Sequence, residues 1–143
     1  MSALSLTKND GSTTVRDTRR PKALPGMTVQ ITTGCGKMYV IMNAINGELI
    51  EVLVKHGKAG GCVSAQCDLV GRLLTASAKY KIPLTETIRN LSGIGCHIPA
   101  FSHGVQIKSC ADGVAHALNE FVEEHAKSLE DETEIYAEFK LVA

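Results

Sequence analysis

MTVQITTGCGKMYVIMNAINGELIEVLVK, residues 27–55, is the stretch whose reading decides the fold. Val29 and Ile31 alternate with Thr28, Gln30 and Thr32, the period of a half-buried strand. Residues 37–43 and 48–55 are two further β-rich runs, and the Asn46-Gly47 pair between them is a strong hairpin signal. Gly34-Cys35-Gly36 makes the preceding tight turn, which sets Cys35 at a hairpin tip. The stretch predicts a three-strand meander.

Downstream, the glycine-rich segment HGKAGGC (56–62) leads into a helix that starts around residues 62–64. Val63, Cys67, Val70, Leu74 and Ala78 recur at helical spacing, so Cys67 lies in the apolar stripe while Cys62 stands at the helix start. Pro83 and Thr85 introduce a short helix with Ile88 and Leu91, ended by Gly93. GIGCHIPAFSHG (93–104) reads as a loop carrying Cys96. In IKSCADGVAHAL (107–118), Ser109 is an N-cap and Asp112 completes a capping box, which places Cys110 in the first helical turn. That helix runs to about residue 127 and is expected to bury Val114, Leu118, Phe121, Val122 and His125. Residues 128–134 form an acidic connection. Ile135, Ala137, Phe139 and Leu141 then alternate with polar neighbours, predicting a last strand over 135–142.

Residues 1–20 are polar and aperiodic, a flexible leader. The expected organisation is leader 1–20, one domain over 21–127, and an acidic connection with a terminal strand over 128–143. The class is α+β, an antiparallel sheet with about three helices on one face.

Bulk properties exclude several functions. Lys+Arg and Asp+Glu each number 15, so the net charge is zero, without the basic surplus of a nucleic-acid polymer binder. Three Tyr, three Phe and no Trp leave little for base stacking. No run approaches the ~18 apolar residues of a membrane span, and the polar start lacks a signal-peptide core. A cytoplasmic protein is expected. In that reducing compartment, five cysteines point to metal binding or redox chemistry before structural disulfides.

Cys35, Cys62, Cys96 and Cys110 fall at a hairpin tip, two helix starts and a loop, where backbone amides stabilise thiolates. Cys67, on a helical face, reads as a small core residue. There is no Cys-x-x-Cys pair, and spacing alone leaves open whether the four are ligands or isolated small residues.

TGCGKMYVIMNAINGELIEVLVKHGKAGGC, then LSGIGC, then KSCADGVAHAL resemble, in order, the TSCPD domain. That domain occurs alone and at the C-terminus of adenosylcobalamin-dependent ribonucleotide reductases. The resemblance spans about residues 19–124. It implies that Cys35, Cys62, Cys96 and Cys110 hold a metal, zinc or iron, in a tetrahedral four-thiolate site, and Cys67 has no counterpart in the pattern. Here the namesake motif is Lys108-Ser109-Cys110-Ala111-Asp112, with Lys for Thr and Ala for Pro. The leader and the terminal strand lie outside the resemblance. An added edge strand is a common way to pair subunits, so a homo-oligomer is expected.

No catalytic residue is assigned. Radical ribonucleotide reduction needs a barrel that 143 residues cannot contain. The expected role is a four-cysteine metal-binding accessory or regulatory module linked to deoxynucleotide metabolism, with a ribonucleotide reductase as partner. His97 and His103 are possible substitute ligands beside the bland reading of exposed loop histidines. One alternative is a thiol–disulfide relay through Cys110 and Cys62 with Cys96 resolving. Another is a phosphorylated-nucleotide binder using the Gly-rich loop at 57–61, with Lys55, Lys58, Gly60, Gly61 and Arg72 as the phosphate site. The competing explanation is that the glycines let the chain bend close to Cys62. His116, Glu120, Glu123 and Glu124 read as a solvated helix face.

Overall fold

Strands β1 (Gly26–Thr33), β2 (Gly36–Ile45) and β3 (Glu48–His56) form an antiparallel sheet in the order β1-β2-β3. The computed structural model describes residues 19–57 and 60–142, with side chains as far as Ser128. The β2–β3 turn has Asn46 at φ 51° and Gly47 at φ 78°. Positive φ at both central residues defines the primed turn that suits the twist of a hairpin. One face of the sheet is the core: Ile31, Met38, Val40, Met42, Val52 and Val54 are all buried. Asn43 pairs with Glu51 but Ala44 pairs with Leu49, so β3 carries one extra residue, Ile50, at a bulge.

Both sheet edges are covered. Helix α1 (Gly61–Lys79) lies against β3, and Gly71 permits the approach because a Cβ there would sit 3.1 Å from the Val52 carbonyl oxygen. Four residues on, the Thr75 hydroxyl accepts from the Val52 amide at 3.0 Å and lies 3.1 Å from the Val52 carbonyl. A helix hydroxyl thus stands in for the missing neighbour strand. On the opposite edge, the Thr32 amide donates to Ser102 Oγ at 2.9 Å. Ser102 belongs to a small hairpin of β4 (Ala100–Ser102) and β5 (Val105–Ile107).

Helix α3 (Cys110–Val142) packs over β1 and β2 through Val114, Ala117, Leu118 and Phe121. Helix α2 (Leu84–Leu91) packs against α3 and adds Leu84, Ile88 and Leu91 to the core margin. Arg20 pins the lead-in segment by a double contact to Glu51 at 2.7 and 2.8 Å, and Glu51 also accepts from Asn43 at 2.7 Å. The Arg20 contact holds the Glu51 carboxyl below its usual range against the opposing effect of burial, with Asn43 assisting. Among the described residues no helix is long and apolar enough to cross a membrane.

The α+β class and the meander are as the sequence predicts, with three corrections. Residues 128–142, expected as an acidic connection and a strand, are helical, the continuation of α3. No Gly or Pro occurs after Gly113 to stop that helix, and Ile135 and Phe139 satisfy a four-residue period as well as a two-residue one. There is therefore no terminal edge strand to pair subunits. The expected loop 93–104 contains β4, and the His103-Gly104 turn, at φ 49° and 80°, closes the second hairpin. Val122 is 36% exposed, not buried, whereas His125 is half-buried with its ring 4.0 Å from that of Phe121. Residues 1–18 of the predicted leader lie outside the described residues.

Candidate functional site: a cysteine-lined cleft

The tip of the β1–β2 hairpin is the first piece of the site. Thr33 ends β1 and Gly36 starts β2, so the turn is Gly34-Cys35. A Cβ on Gly34 would lie 2.0 Å from the Ile98 carbonyl oxygen. Only glycine lets the 94–98 loop rest on the tip, and this brings Cys96 to the same cleft as Cys35. The loop is held in place by the Cys96 amide, which donates to the Lys108 carbonyl at 2.9 Å. The Ile98 amide donates to Cys96 Sγ at 3.4 Å, and Cys96 Sγ lies 3.5 Å from the Ile98 carbonyl.

The start of α3 supplies the second piece. Ser109 Oγ accepts from the Asp112 amide at 3.1 Å, as an N-cap should, and donates to the Ile94 carbonyl. The Asp112 half of the capping box differs from expectation. Its carboxylate accepts from the Lys108 amide at 3.0 Å and the Gly93 amide at 2.8 Å rather than from Ser109. The side chain therefore staples the end of the α2 segment to the start of α3. Burial raises the Asp112 pKa, but the Gly93 and Lys108 amides, then the charges of His116 and Lys108, outweigh it and hold the carboxyl below its ordinary value.

These elements enclose a cleft of about 370 Å³ lined by all five cysteines, with Val54, Val63, Val70 and Ile94 among its apolar walls. Cys62 and Cys96 are exposed, Cys35 and Cys110 half-buried, and Cys67 buried. Cys67 is in the core, as its helical position predicts, but it is also the partner of Cys110. A hydrogen-bonding influence between the two thiols is the leading one on both. This influence, against burial and with help from the Thr33 hydroxyl, the charge of His56 and the helix-start amide, lowers Cys110 to about 6. The same influence, then burial and the Cys110 charge, raises Cys67 far above an ordinary thiol. The two thiols titrate as a pair, with the proton favoured on Cys67 and the negative charge on Cys110.

Sequence reasoning thus set Cys67 apart from the chemistry and passed over His56. The signal for His56 was present: Val52, Val54 and His56 alternate onto the core face of β3, next to Gly36, whose Cβ would meet the imidazole at 3.3 Å. For Cys67, the Val63-Cys67-Val70 stripe points at the cleft and the core together.

The other expected site residues are dispersed differently. His97 lines the cleft, whereas His103 sits in the β4–β5 turn. Lys55 pairs with Asp68, and both share a second cleft with Arg72 on the β3–α1 edge. Gly60 and Gly61, at φ 80° and 79°, belong instead to the start of α1 beside Cys62. A Cβ at either would meet nothing within 4 Å, so left-handed φ, not close approach, is what calls for glycine. Lys58 lies outside the described residues. As metal donors, Cys35, Cys62, Cys96 and Cys110 suit a soft ion by chemistry. Among the described residues, however, no three His, Cys, Asp or Glu side chains are grouped closely enough to hold one. The four thiols rim one cleft without forming a coordination shell.

The family model of the TSCPD domain matches residues 12–122, starting inside the segment expected to be leader. No curated protein and no solved structure matches the chain. With about three quarters of its length covered, the chain belongs to the TSCPD family, a ribonucleotide reductase-related, cysteine-containing domain.

Proposed function

We propose that the chain is a thiol–disulfide relay module serving a reductase-type partner, with Cys110 as the attacking thiolate and Cys67 as the resolving thiol. The observation that carries this reading is that Cys67 and Cys110 line one cleft at the start of α3, open to solvent at Cys62 and Cys96, and that each thiol is the leading influence on the other. Cys67 takes the resolving role that the relay alternative read from the sequence gives to Cys96.

The Cys110 thiolate attacks one sulfur of a disulfide on the partner. That S–S bond breaks, a mixed disulfide forms, and the other partner sulfur leaves as a thiolate. The negative charge on Cys110 is thereby consumed, which removes the main influence holding the proton on Cys67. Cys67 then gives its proton to water and attacks Cys110 Sγ. The mixed disulfide breaks, a Cys67–Cys110 disulfide forms, and the second partner thiolate is released. Two electrons have passed to the partner, and an external dithiol restores the module.

The test is anaerobic reaction of the reduced protein with glutathione disulfide, followed by mass mapping. Glutathione is expected on Cys110 first and a Cys67–Cys110 disulfide next, with the mixed disulfide accumulating in Cys67→Ala. Failure of Cys110 to react ahead of the exposed Cys62 and Cys96 would overturn the reading.

A second reading, a structural zinc or iron site, is favoured by the shared cleft and by the Ile98 amide on Cys96. It requires the rim thiols to close in from their present positions, because as placed they are not grouped to hold an ion. Anaerobic titration with Co²⁺ distinguishes the two. Intense thiolate charge-transfer absorption at one ion per chain, lost in Cys35→Ser and Cys96→Ser, supports the metal site. Absence of that absorption removes it.

A further inference from the structure

Along the outer edge of β3 beneath α1 run two adjoining cavities of about 410 and 320 Å³ that share Glu51, Arg72 and Thr75. Together they are lined by five cations, Arg19, Arg20, Lys55, Arg72 and Lys79, against two carboxylates, Glu51 and Asp68. The whole chain carries 15 of each sign, so the trough concentrates positive charge that the composition does not show.

Both carboxylates are engaged. Glu51 is held by Arg20 and Asn43, and Asp68 by Lys55. The direct contacts of these carboxylates go to Arg20, Asn43 and Lys55, while Arg72 reaches Asp68 only through its charge and Lys79 Nζ lies 5.8 Å from the Tyr80 ring centroid; neither forms a salt bridge among the described residues. Arg72 and Lys79 are seven residues apart on α1, two turns along one face. Helix geometry spaces their backbones by about 10 Å, the reach of a short phosphate chain between two cationic ends. The floor beside them is apolar, formed by Ile45, Ile50 and Ala76. A concave volume of this size, with a few placed charges over an apolar floor, is the ordinary form of a small-molecule site.

We propose that this trough binds a small phosphorylated ligand with a flat apolar part, a nucleotide by class, its phosphates spanning Arg72 and Lys79 and its base lying on Ile45 and Ile50. The site is separate from the cysteine cleft, and its occupancy does not depend on the thiol chemistry. It keeps Lys55 and Arg72 from the phosphate site expected from sequence and moves the ligand off the glycine-rich loop.

Calorimetric titration of the full chain with ATP, adenosine, pyrophosphate and a Glu-rich peptide tests the proposal. Saturable ATP binding is expected, with adenosine binding at least tenfold more weakly. Arg72→Glu and Lys79→Glu should each weaken ATP at least tenfold, and Arg89→Glu, on α2, should leave it unchanged. Arg72→Gln and Lys79→Gln, checked for an unchanged melting temperature, carry the same expectation without charge reversal. No saturable ATP binding would overturn the proposal. So would equal binding of adenosine, tighter binding of the peptide, or wild-type ATP affinity in the folded Arg72 and Lys79 variants.

Discussion

Two helices of this protein carry a cysteine in the first turn, and they begin differently. At the start of α1, Gly60 and Gly61 take positive φ, no side chain caps the helix, and Cys62 is exposed. At the start of α3, Ser109 caps, Asp112 binds two amides from outside the helix, and Cys110 is half-buried against Cys67. The helix-start amide is the smallest of the influences that lower Cys110, and the Cys67 thiol is the largest. A helix N-terminus offers a cysteine a favourable place, but here a second thiol and a rigid clamp make the thiolate. The two ends differ in how much of the surrounding fold is tied to them.

The largest effect should come from breaking the clamp. Asp112 is buried and its carboxylate accepts from two backbone amides of different segments. Asp112→Ala takes the charged acceptor away from both amides and empties a buried position, so a loss of about 3 kcal/mol in denaturant unfolding is expected. The same residue sets a pH dependence. A carboxyl held below its unfolded value stabilises the fold above about pH 4, and that contribution is lost as pH falls through the lower folded value. Asp112→Asn should therefore show a shallower loss of stability on acidification than the parent. An acid limb of unchanged slope would show that the clamp is not ionised.

Next in size is the removal of Cys67. Cys67→Ala deletes the leading influence on Cys110, moving it from about 6 toward the ordinary value of about 8.5. The thiolate fraction near pH 6 then drops steeply, partly offset by the greater nucleophilicity of a more basic sulfur. The net expectation is that Cys110 reacts about tenfold more slowly with an aromatic disulfide reagent near pH 6, whereas Cys62 keeps its rate. Equal slowing of both cysteines would mean that the cleft as a whole, and not the pair, had changed.

The comparison also shows which features are legible in the sequence. Alternation in residues 27–55 and the Asn46-Gly47 turn fix the meander without outside information, because strand period and turn chemistry are local. The N-cap at Ser109 is equally local. The convergence of Cys35, Cys62, Cys96 and Cys110 on one cleft is not local, and only the family resemblance anticipated that the four belong together. Gly34 carried a further hint, since its place against Ile98 is a packing demand between segments more than sixty residues apart. The Cys67–Cys110 pair escaped because a stripe residue can face the core and a cleft at once. Residues 135–142 misled because their alternation also fits a helix, and the absence of any breaker decided between the two.

The smallest effects separate the two helix starts directly. Ser109→Ala removes an acceptor for the Asp112 amide and a donor to the Ile94 carbonyl, so about 1 to 2 kcal/mol is expected. At α1, Gly61→Ala meets no neighbour within 4 Å, and its cost is only that of a positive φ for a residue with a Cβ, about 1 kcal/mol. The two differ more in kind than in size. Ser109→Ala loosens the 94–98 loop, and Cys96 should then be alkylated faster along with Cys110. Gly61→Ala should alter the rate of Cys62 alone. Changes at Cys96 and Cys110 in Gly61→Ala would mean that the start of α1 is tied into the cleft as firmly as the start of α3, and the contrast between them would not hold.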